Sequence, residues 1–305
     1  MSDEHDEAEA FRAEAARHGR SQPRALAGLP SGTFDVVEVG DDAPVPRLMV
    51  YRPADGPAVP GVLVNLHGGG FVLGGWQDDD PYCRFLADAS GCAVVNVDYP
   101  LAPEHPYPAA VHHTYDLLAW LAEHGDVVGV DGSRLAVGGH SAGGNLAAAA
   151  ALLARRSGGP LLRGVVVDYA PLDLQTPPAD KLVGDVRDDP GAANLARHGV
   201  RFNAWYLPDP ASGADELASP VLAADLAGLP PTLVLTAERD LLRAEGDRYA
   251  ARLAAAGVPT EHVVFPGCGH GFTHVGPEEH AVAAWVRMAA FVRRVVAGQD
   301  AVTWA

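Results

Sequence analysis

Positive charge is scarce in this chain. Its 305 residues include 22 Lys and Arg against 39 Asp and Glu, which gives a formal net charge of -17 at pH 7. Proteins that bind phosphate-rich surfaces do so through clustered cations. The composition therefore argues against nucleic acid and anionic membranes as partners, and it says little about the fold.

Cysteines and long apolar runs are scarce as well. Cys83, Cys92 and Cys268 are not spaced as a disulfide framework or a zinc site, so we expect reduced thiols. The longest wholly apolar run, residues 146–154, is far shorter than the roughly 20 residues that span a bilayer. Residues 1–20 are acidic and contain no segment typical of a signal peptide. We therefore expect a cytoplasmic protein without membrane attachment.

Apolar strands alternate with helix-forming segments along most of the chain. A hairpin is predicted from Phe34 and Arg47, and six further strands are predicted to begin near residues 62, 93, 134, 164, 232 and 261. Helices are predicted at about 80–89, 108–124, 142–156, 242–256 and 278–297. This alternation is typical of an α/β protein that has a mostly parallel central sheet with helices on both faces.

Two stretches do not follow this alternation. Residues 1–33 begin with helix-forming composition and then become polar and rich in helix breakers. Residues 173–218 are polar and proline-rich before a helical piece at about 193–206. We predict an amino-terminal arm and an insertion that together form a cap above a core of residues 34–172 and 219–300. The alternative for the insertion is a surface excursion without a catalytic role.

The strongest chemical signal is a G-x-S-x-G pattern at residues 139–143. It lies between the apolar strand RLAVG and the helical run NLAAAAALLA. A sharp turn in this context projects the serine hydroxyl from the sheet, and the flanking glycines let the chain bend. The pattern therefore predicts that Ser141 is a nucleophile. A phosphate-binding loop would be the other use of such glycines, but neither the dinucleotide-binding nor the P-loop pattern occurs in the chain.

A serine nucleophile needs a histidine base and an orienting carboxylate, which we expect to follow it in the order acid, then histidine. Asp240 comes just after the strand TLVLTA, and His270 lies in the turn PGCGHGF after the strand EHVVF. Both fall at the sheet edge where Ser141 should emerge, so we predict that they are its acid and base. Four rivals stay open, two for the acid and two for the base: Glu238, Asp173, His274 and His262.

The glycine-rich segment after the strand VLVNL predicts an oxyanion-binding loop. Backbone N–H groups there are unencumbered, and we predict that those of Gly69, Gly70 and Ala142 stabilise the oxyanion formed when the serine attacks a carbonyl. Three large aromatic residues are candidates for the wall of a substrate pocket, with structural packing as the alternative: Trp76, Trp205 and Tyr206.

Taken together, these blocks resemble the hormone-sensitive lipase family of esterases. The matching blocks, in the family's order, are HGGGF, YPLAPEHPYPAA, GHSAGGNLA, LASPVLAADLAGLPPTLVLTAERDLLRAEG and HGF. The resemblance implies an α/β-hydrolase fold with a helical cap, and a serine carboxylesterase that hydrolyses short- to medium-chain acyl esters through an acyl-enzyme. It implies a small-molecule ester as substrate and no cofactor or metal, and it is compatible with a homodimer. It also supports the triad and the oxyanion donors named above.

Three positions depart from the family's pattern. His140 stands where an acidic residue is common, Pro100 where an arginine is usual, and Cys268 where a larger apolar residue is frequent. None of them removes a catalytic group, but His140 changes the hydrogen bonding beside the nucleophile. Three other functions stay open: a deacetylase or amidase of a specialised metabolite that uses the same triad, a lyase on the same scaffold, and a ligand-binding protein with a retired active site.

Overall fold

An eight-stranded sheet organises the fold. The computed structural model describes residues 2–17, 29, 31–40 and 43–297. Its strands are β1 (Thr33–Glu38), β2 (Arg47–Arg52), β3 (Gly61–Leu66), β4 (Ala93–Val97), β5 (Asp131–His140), β6 (Leu162–Asp168), β7 (Thr232–Ala237) and β8 (Thr260–Phe265). Their order across the sheet is β1-β2-β4-β3-β5-β6-β7-β8.

The sheet is mostly parallel, as predicted. β1 and β2 form the expected antiparallel hairpin, and β2 also pairs antiparallel with β4. Every later pairing is parallel. All residues of β3, β4 and β7 are buried, which is why these strands appear in the sequence as continuous apolar runs.

The described part of the chain forms eight α-helices, and some of them cover both faces of the sheet. The eight are α1 (Ser2–Arg17), α2 (Asp80–Ser90), α3 (Ala109–His124), α4 (Ala142–Ser157), α5 (Pro190–Tyr206), α6 (Arg243–Ala255), α7 (Phe272–Val275) and α8 (Glu278–Val292). Side chains alternate along β3, so Val64 joins the core cluster under α3 and α4, whereas Leu63 joins the cluster under α2 and α8. The predicted last helix is shorter than expected, because a π-helical turn, Arg293–Ala297, follows α8.

The predicted arm and insertion contact each other through α1 and α5. Phe11 of α1 packs against the ring of Trp205 in α5 at a centroid distance of 5.7 Å. α5 begins three residues earlier than predicted because Asp189 caps it, accepting hydrogen bonds from the N–H groups of Gly191 and Ala192. Residues 1, 18–28 and 30 of the predicted arm lie outside the described residues.

The three cysteines, Cys83, Cys92 and Cys268, are buried free thiols. Burial raises the pKa of the Cys83 thiol well above its usual value, which makes the thiol inert. None of the helices that the structure describes is both long and apolar enough to cross a membrane.

Candidate active site

Ser141 occupies a strained turn between β5 and α4. Its backbone lies in the left-handed region, with φ 52° and ψ -122°. Such a conformation costs a non-glycine residue about 1–3 kcal/mol and persists only where the surroundings impose it. Here the N–H of Ser141 donates to the carbonyl oxygen of Asp168 at 2.8 Å. Gly143 lies so close to the carbonyl oxygen of Leu66 that a Cβ there would overlap it, so the approach of α4 to β3 requires glycine.

A chain of hydrogen bonds connects Ser141 to a buried carboxylate. Oγ of Ser141 lies 3.0 Å from Nε2 of His270, and Nδ1 of His270 lies 2.7 Å from Oδ2 of Asp240. The other oxygen of Asp240, Oδ1, accepts a hydrogen bond from the N–H of Leu242 at 3.0 Å. A carboxylate at Nδ1 favours the tautomer that carries its proton there, which leaves Nε2 able to accept the serine proton.

Three of the four rival residues make contacts elsewhere. Oε2 of Glu238 accepts a hydrogen bond from the N–H of Gly267, and Asp173 is bonded within its own turn. His262 contacts Asp247 through Nε2 at 3.1 Å. The fourth rival, the histidine of α7, belongs to a separate cluster that is described below.

The glycine-rich loop after β3 lines the same cavity as Ser141. Gly69 and Gly70 have φ values of 128° and 62°, which favour glycine. Tyr99 holds the start of the loop, since its hydroxyl donates to the carbonyl oxygen of His67 at 2.8 Å. Among the described residues, no acceptor takes a hydrogen bond from the N–H groups of Gly69, Gly70 or Ala142. These three donors are therefore available to a ligand.

A cavity of about 640 Å³ opens above Ser141 and His270. Its volume is within the usual range for small-molecule sites. The wall is mainly apolar and includes Phe71, Leu73, Leu174, Leu195, Phe202, Leu241 and Leu242. A reactive serine, a base and free N–H donors thus share one mostly apolar cavity, which suits the attack of Ser141 on an apolar carbonyl compound.

The sequence of this region matches a known family. Residues 63–274 match the model of a family with the α/β-hydrolase fold. The chain belongs to the hormone-sensitive lipase-like family of α/β-hydrolases.

Relatives of this hydrolase carry esterase names. A carboxylesterase of Mycobacterium tuberculosis is 42% identical to it over 217 residues, which cover 70% of this chain and 66% of that relative. An arylesterase of Saccharolobus solfataricus is 37% identical over 214 residues, which cover 70% of this chain and 68% of that relative. The match therefore spans just under two thirds of the mycobacterial protein's length.

Solved structures of the family share the whole fold of this hydrolase. A thermostable carboxylesterase cloned from a metagenomic library superposes on it with a TM-score of 0.83 at 36% identity, covering 95% of this chain and 97% of the other. An esterase of Pyrobaculum calidifontis superposes with a TM-score of 0.79 at 36% identity, covering 94% and 93%.

The three aromatic residues expected in the pocket wall do not line the cavity of this hydrolase. Tyr206 is fully buried behind the wall and stacks on Phe71 with ring centroids 3.8 Å apart. Trp205 packs against α1, and Trp76 stacks on an aromatic ring of β1. Packing against other rings thus accounts for all three. α5 instead contributes the phenyl ring of Phe202 to the wall, and no pattern in the sequence indicated this residue.

Lys181, the single lysine of the chain, was also not anticipated as a site residue. It lines the cavity, and its Nζ lies 2.6 Å from Oε2 of Glu245 in α6. Burial raises the pKa of Glu245 to about 7, although the lysine acts in the opposite direction. This buried ion pair connects the insertion to the core of the hydrolase.

A cluster of Asp79, His140 and His274 beside the nucleophile was missed as a unit. One carboxylate oxygen and two ring nitrogens of these residues lie within 4.8 Å of one another. Burial opposes ionisation of Asp79, but His140 and His274 outweigh it and lower the pKa of this carboxyl well below its usual value. His140 was noticed only as a departure from the family's pattern, and His274 only as a rival base. No sequence signal connected either to Asp79.

Proposed function

We propose that this hydrolase is a serine carboxylesterase that acts on short- to medium-chain acyl esters through Ser141, His270 and Asp240. The observation that carries the proposal is the hydrogen-bonded chain from Ser141 Oγ through His270 to Asp240. The relatives named carboxylesterase and arylesterase support esters as the substrate class.

Acylation begins when Ser141 Oγ attacks the ester carbonyl and His270 Nε2 takes its proton. Asp240 stays ionised and stabilises the resulting imidazolium. The carbonyl oxygen becomes an oxyanion, which accepts hydrogen bonds from the free N–H groups of Gly69, Gly70 and Ala142. One such donor typically lowers the activation barrier by about 3–4 kcal/mol. His270 then gives its proton to the departing alcohol.

Deacylation repeats these steps with water. His270 accepts a proton from a water molecule that attacks the acyl-enzyme, and the same N–H donors stabilise the second oxyanion. Ser141 recovers its proton from His270, and the carboxylic acid leaves. Because each step uses the side chains already described, the cycle needs no group beyond those of the protein.

The cap accounts for the proposed chain length. We assign the cap to residues 1–33 and 173–218, above a core of residues 34–172 and 219–300. The cavity of about 640 Å³ between Ser141 and α5 accommodates a short or medium acyl group with its alcohol. A cytoplasmic location and a homodimer stay predictions.

Hydrolysis of p-nitrophenyl esters from acetate to palmitate tests the proposal. We expect turnover to peak at short or medium chains and to fall by at least about 10³-fold in Ser141→Ala. Ser133→Ala is the matched control, because the hydroxyl of this exposed serine donates to Asp131 and the residue lies outside the cavity lining. A folded protein that hydrolyses none of these esters would overturn the proposal. Hydrolysis of an amide in preference to its matching ester would replace it with the amidase alternative.

A further inference from the structure

The cluster of Asp79, His140 and His274 has the composition of a transition-metal site. We propose that these residues bind a divalent ion of the zinc class. The bound ion would inhibit the enzyme because it competes with the loop of residues 68–70 for Nε2 of His140. Two imidazoles and one carboxylate form a ligand set that suits such ions, with a further coordination position open to solvent.

The distances from the carboxylate to the two imidazoles fit a tetrahedral ion. Oδ1 of Asp79 lies 3.3 Å from Nε2 of His140 and 3.2 Å from Nε2 of His274. Ligands bound at about 2.0–2.1 Å to a tetrahedral zinc lie about 3.3–3.4 Å from one another. The cluster also borders the cavity, so an ion has a path of entry and the open position faces the substrate site.

Two polar atoms of the cluster lack a hydrogen-bond partner among the described residues. Asp79 is fully buried, yet its Oδ1 makes no hydrogen bond of good geometry, and neither does Nε2 of His274 despite the 3.2 Å between them. A buried carboxylate oxygen without a partner is costly, and an ion bound to Oδ1 would satisfy it.

Outer hydrogen bonds hold two of the three ligands in place. Oδ2 of Asp79 accepts a hydrogen bond from Asn65 at 2.7 Å, which leaves Oδ1 for the ion. Nδ1 of His274 lies 2.9 Å from Oγ1 of Thr273 and 3.0 Å from the hydroxyl of Tyr169. Either hydroxyl oxygen can accept a hydrogen bond from an N–H at Nδ1, which leaves the Nε2 lone pair for the ion. Partners of this kind usually orient metal ligands in proteins.

The third ligand connects the site to the oxyanion loop. Nε2 of His140 accepts a hydrogen bond from the N–H of Gly68 at 2.9 Å. One lone pair cannot accept that hydrogen bond and bind an ion at the same time. An ion on His140 therefore releases the N–H of Gly68, and the loop that carries the proposed donors Gly69 and Gly70 loses one of its anchoring contacts. The binding of the ion does not depend on the proposed function, whereas inhibition of esterase turnover does.

Titration of the full chain, without a histidine tag, with Co²⁺ at about pH 7.5 tests the site directly. We expect visible d–d absorption that saturates at one equivalent per chain and is abolished when Zn²⁺ displaces Co²⁺. His274→Gln and Asp79→Asn should each weaken binding at least about tenfold. Circular dichroism and thermal unfolding of each variant would show whether it folds, and His274→Gln serves if Asp79→Asn does not.

Two matched controls locate the ion within the cavity. His198→Gln removes another cavity histidine, and His270→Gln removes the proposed base; both should keep the Co²⁺ spectrum. Loss of the spectrum in His270→Gln, or equal affinity in the wild type and His274→Gln, would overturn the site.

Inhibition is measured with p-nitrophenyl acetate. We expect Zn²⁺ to lower kcat at least about tenfold in the wild type, EDTA to restore it, and His274→Gln to resist it. Stoichiometric binding without loss of turnover would overturn the competition with the loop. Absence of esterase activity before any ion is added would count against the proposed function, while the Co²⁺ spectra would still decide the site.

Discussion

The ring of Phe202 lies directly against Gly70, so closely that a methyl group on Gly70 would overlap Cγ, Cδ2 and Cε2 of the ring. Phe202 belongs to α5 of the insertion, whereas Gly70 belongs to the loop that carries the proposed oxyanion donors. The cap thus determines how far this loop can move. Glycine is required at position 70 both for its φ of 62° and for the contact with this ring.

Gly70→Ala should therefore lower kcat/KM for p-nitrophenyl acetate by at least about 100-fold, because the loop must shift away from the ring. Adding Phe202→Ala removes the overlap, so kcat/KM of the double variant should be at least about tenfold higher than that of Gly70→Ala. Gly40→Ala is the control for a positive φ alone, since Gly40 has φ 84° and nothing within 4 Å of the new Cβ. A double variant as slow as the single one would contradict the role of the contact.

Asp240→Asn should lower kcat by about 10³–10⁴-fold while leaving the fold intact. The asparagine amide presents N–H groups to Nδ1 of His270, which favours the tautomer that carries its proton on Nε2 and cannot accept one from Ser141. Glu238→Gln is the matched control, because Glu238 bonds to Gly267 instead. The measurement is the steady-state kcat of both variants and the wild type on the same ester. A larger loss of kcat in Glu238→Gln than in Asp240→Asn would identify Glu238 as the acid of the triad.

Glu104→Gln should change the pH dependence of stability. Both oxygens of Glu104 accept hydrogen bonds from Arg12 at 2.7 Å, and this guanidinium lowers the pKa of the carboxyl from 4.5 to about 2. The pair therefore stabilises the folded state above pH 4.5 and loses this effect as the pH falls towards 2. Since Glu104 is 41% exposed, solvent screening limits the contribution to about 1 kcal/mol.

Urea unfolding at pH 7 and at a series of acidic pH values measures this effect. The wild type should be more stable than Glu104→Gln at pH 7, and the difference should disappear in the acidic window. Glu123→Gln is the control, because Glu123 is exposed and none of the described residues forms an ion pair with it. A difference that stays constant with pH would show that the charge of Glu104 is not responsible.

Trp285→Ala should lower the free energy of unfolding by about 3–5 kcal/mol. Trp285 is only 2% exposed, packs between Tyr82 and Phe85, and donates through Nε1 to the carbonyl oxygen of Thr273 at 2.9 Å. Trp120→Ala is the matched control, since its half-buried ring stacks on His124 and packs at the edge of the core instead of within it. Trp120→Ala should lower the free energy of unfolding by less than about 2 kcal/mol, with both variants measured by urea titration. Equal losses would mean that burial of Trp285 contributes little.

Most of the fold could be predicted from the sequence, because local signals define it. Apolar runs such as β3 and β7 indicate buried parallel strands, and helix-forming segments lie between them. The helix boundaries differ by only a few residues, and the differences come from local caps such as Asp189. The α/β-hydrolase family was predicted in the same way, because its motifs are short contiguous blocks, and this prediction is confirmed.

The same distinction between local signals and long-range packing applies to the candidate site. The G-x-S-x-G turn, the glycine loop and the order of Ser141, Asp240 and His270 could be predicted from the sequence, since each depends on neighbours in the chain. The contacts between distant segments appear only in the fold: Phe202 against Gly70, and Asp79 against His140 and His274. Those contacts depend on how α2, α5 and α7 pack around the sheet edge. Long-range packing of this kind leaves no periodic pattern in a single sequence.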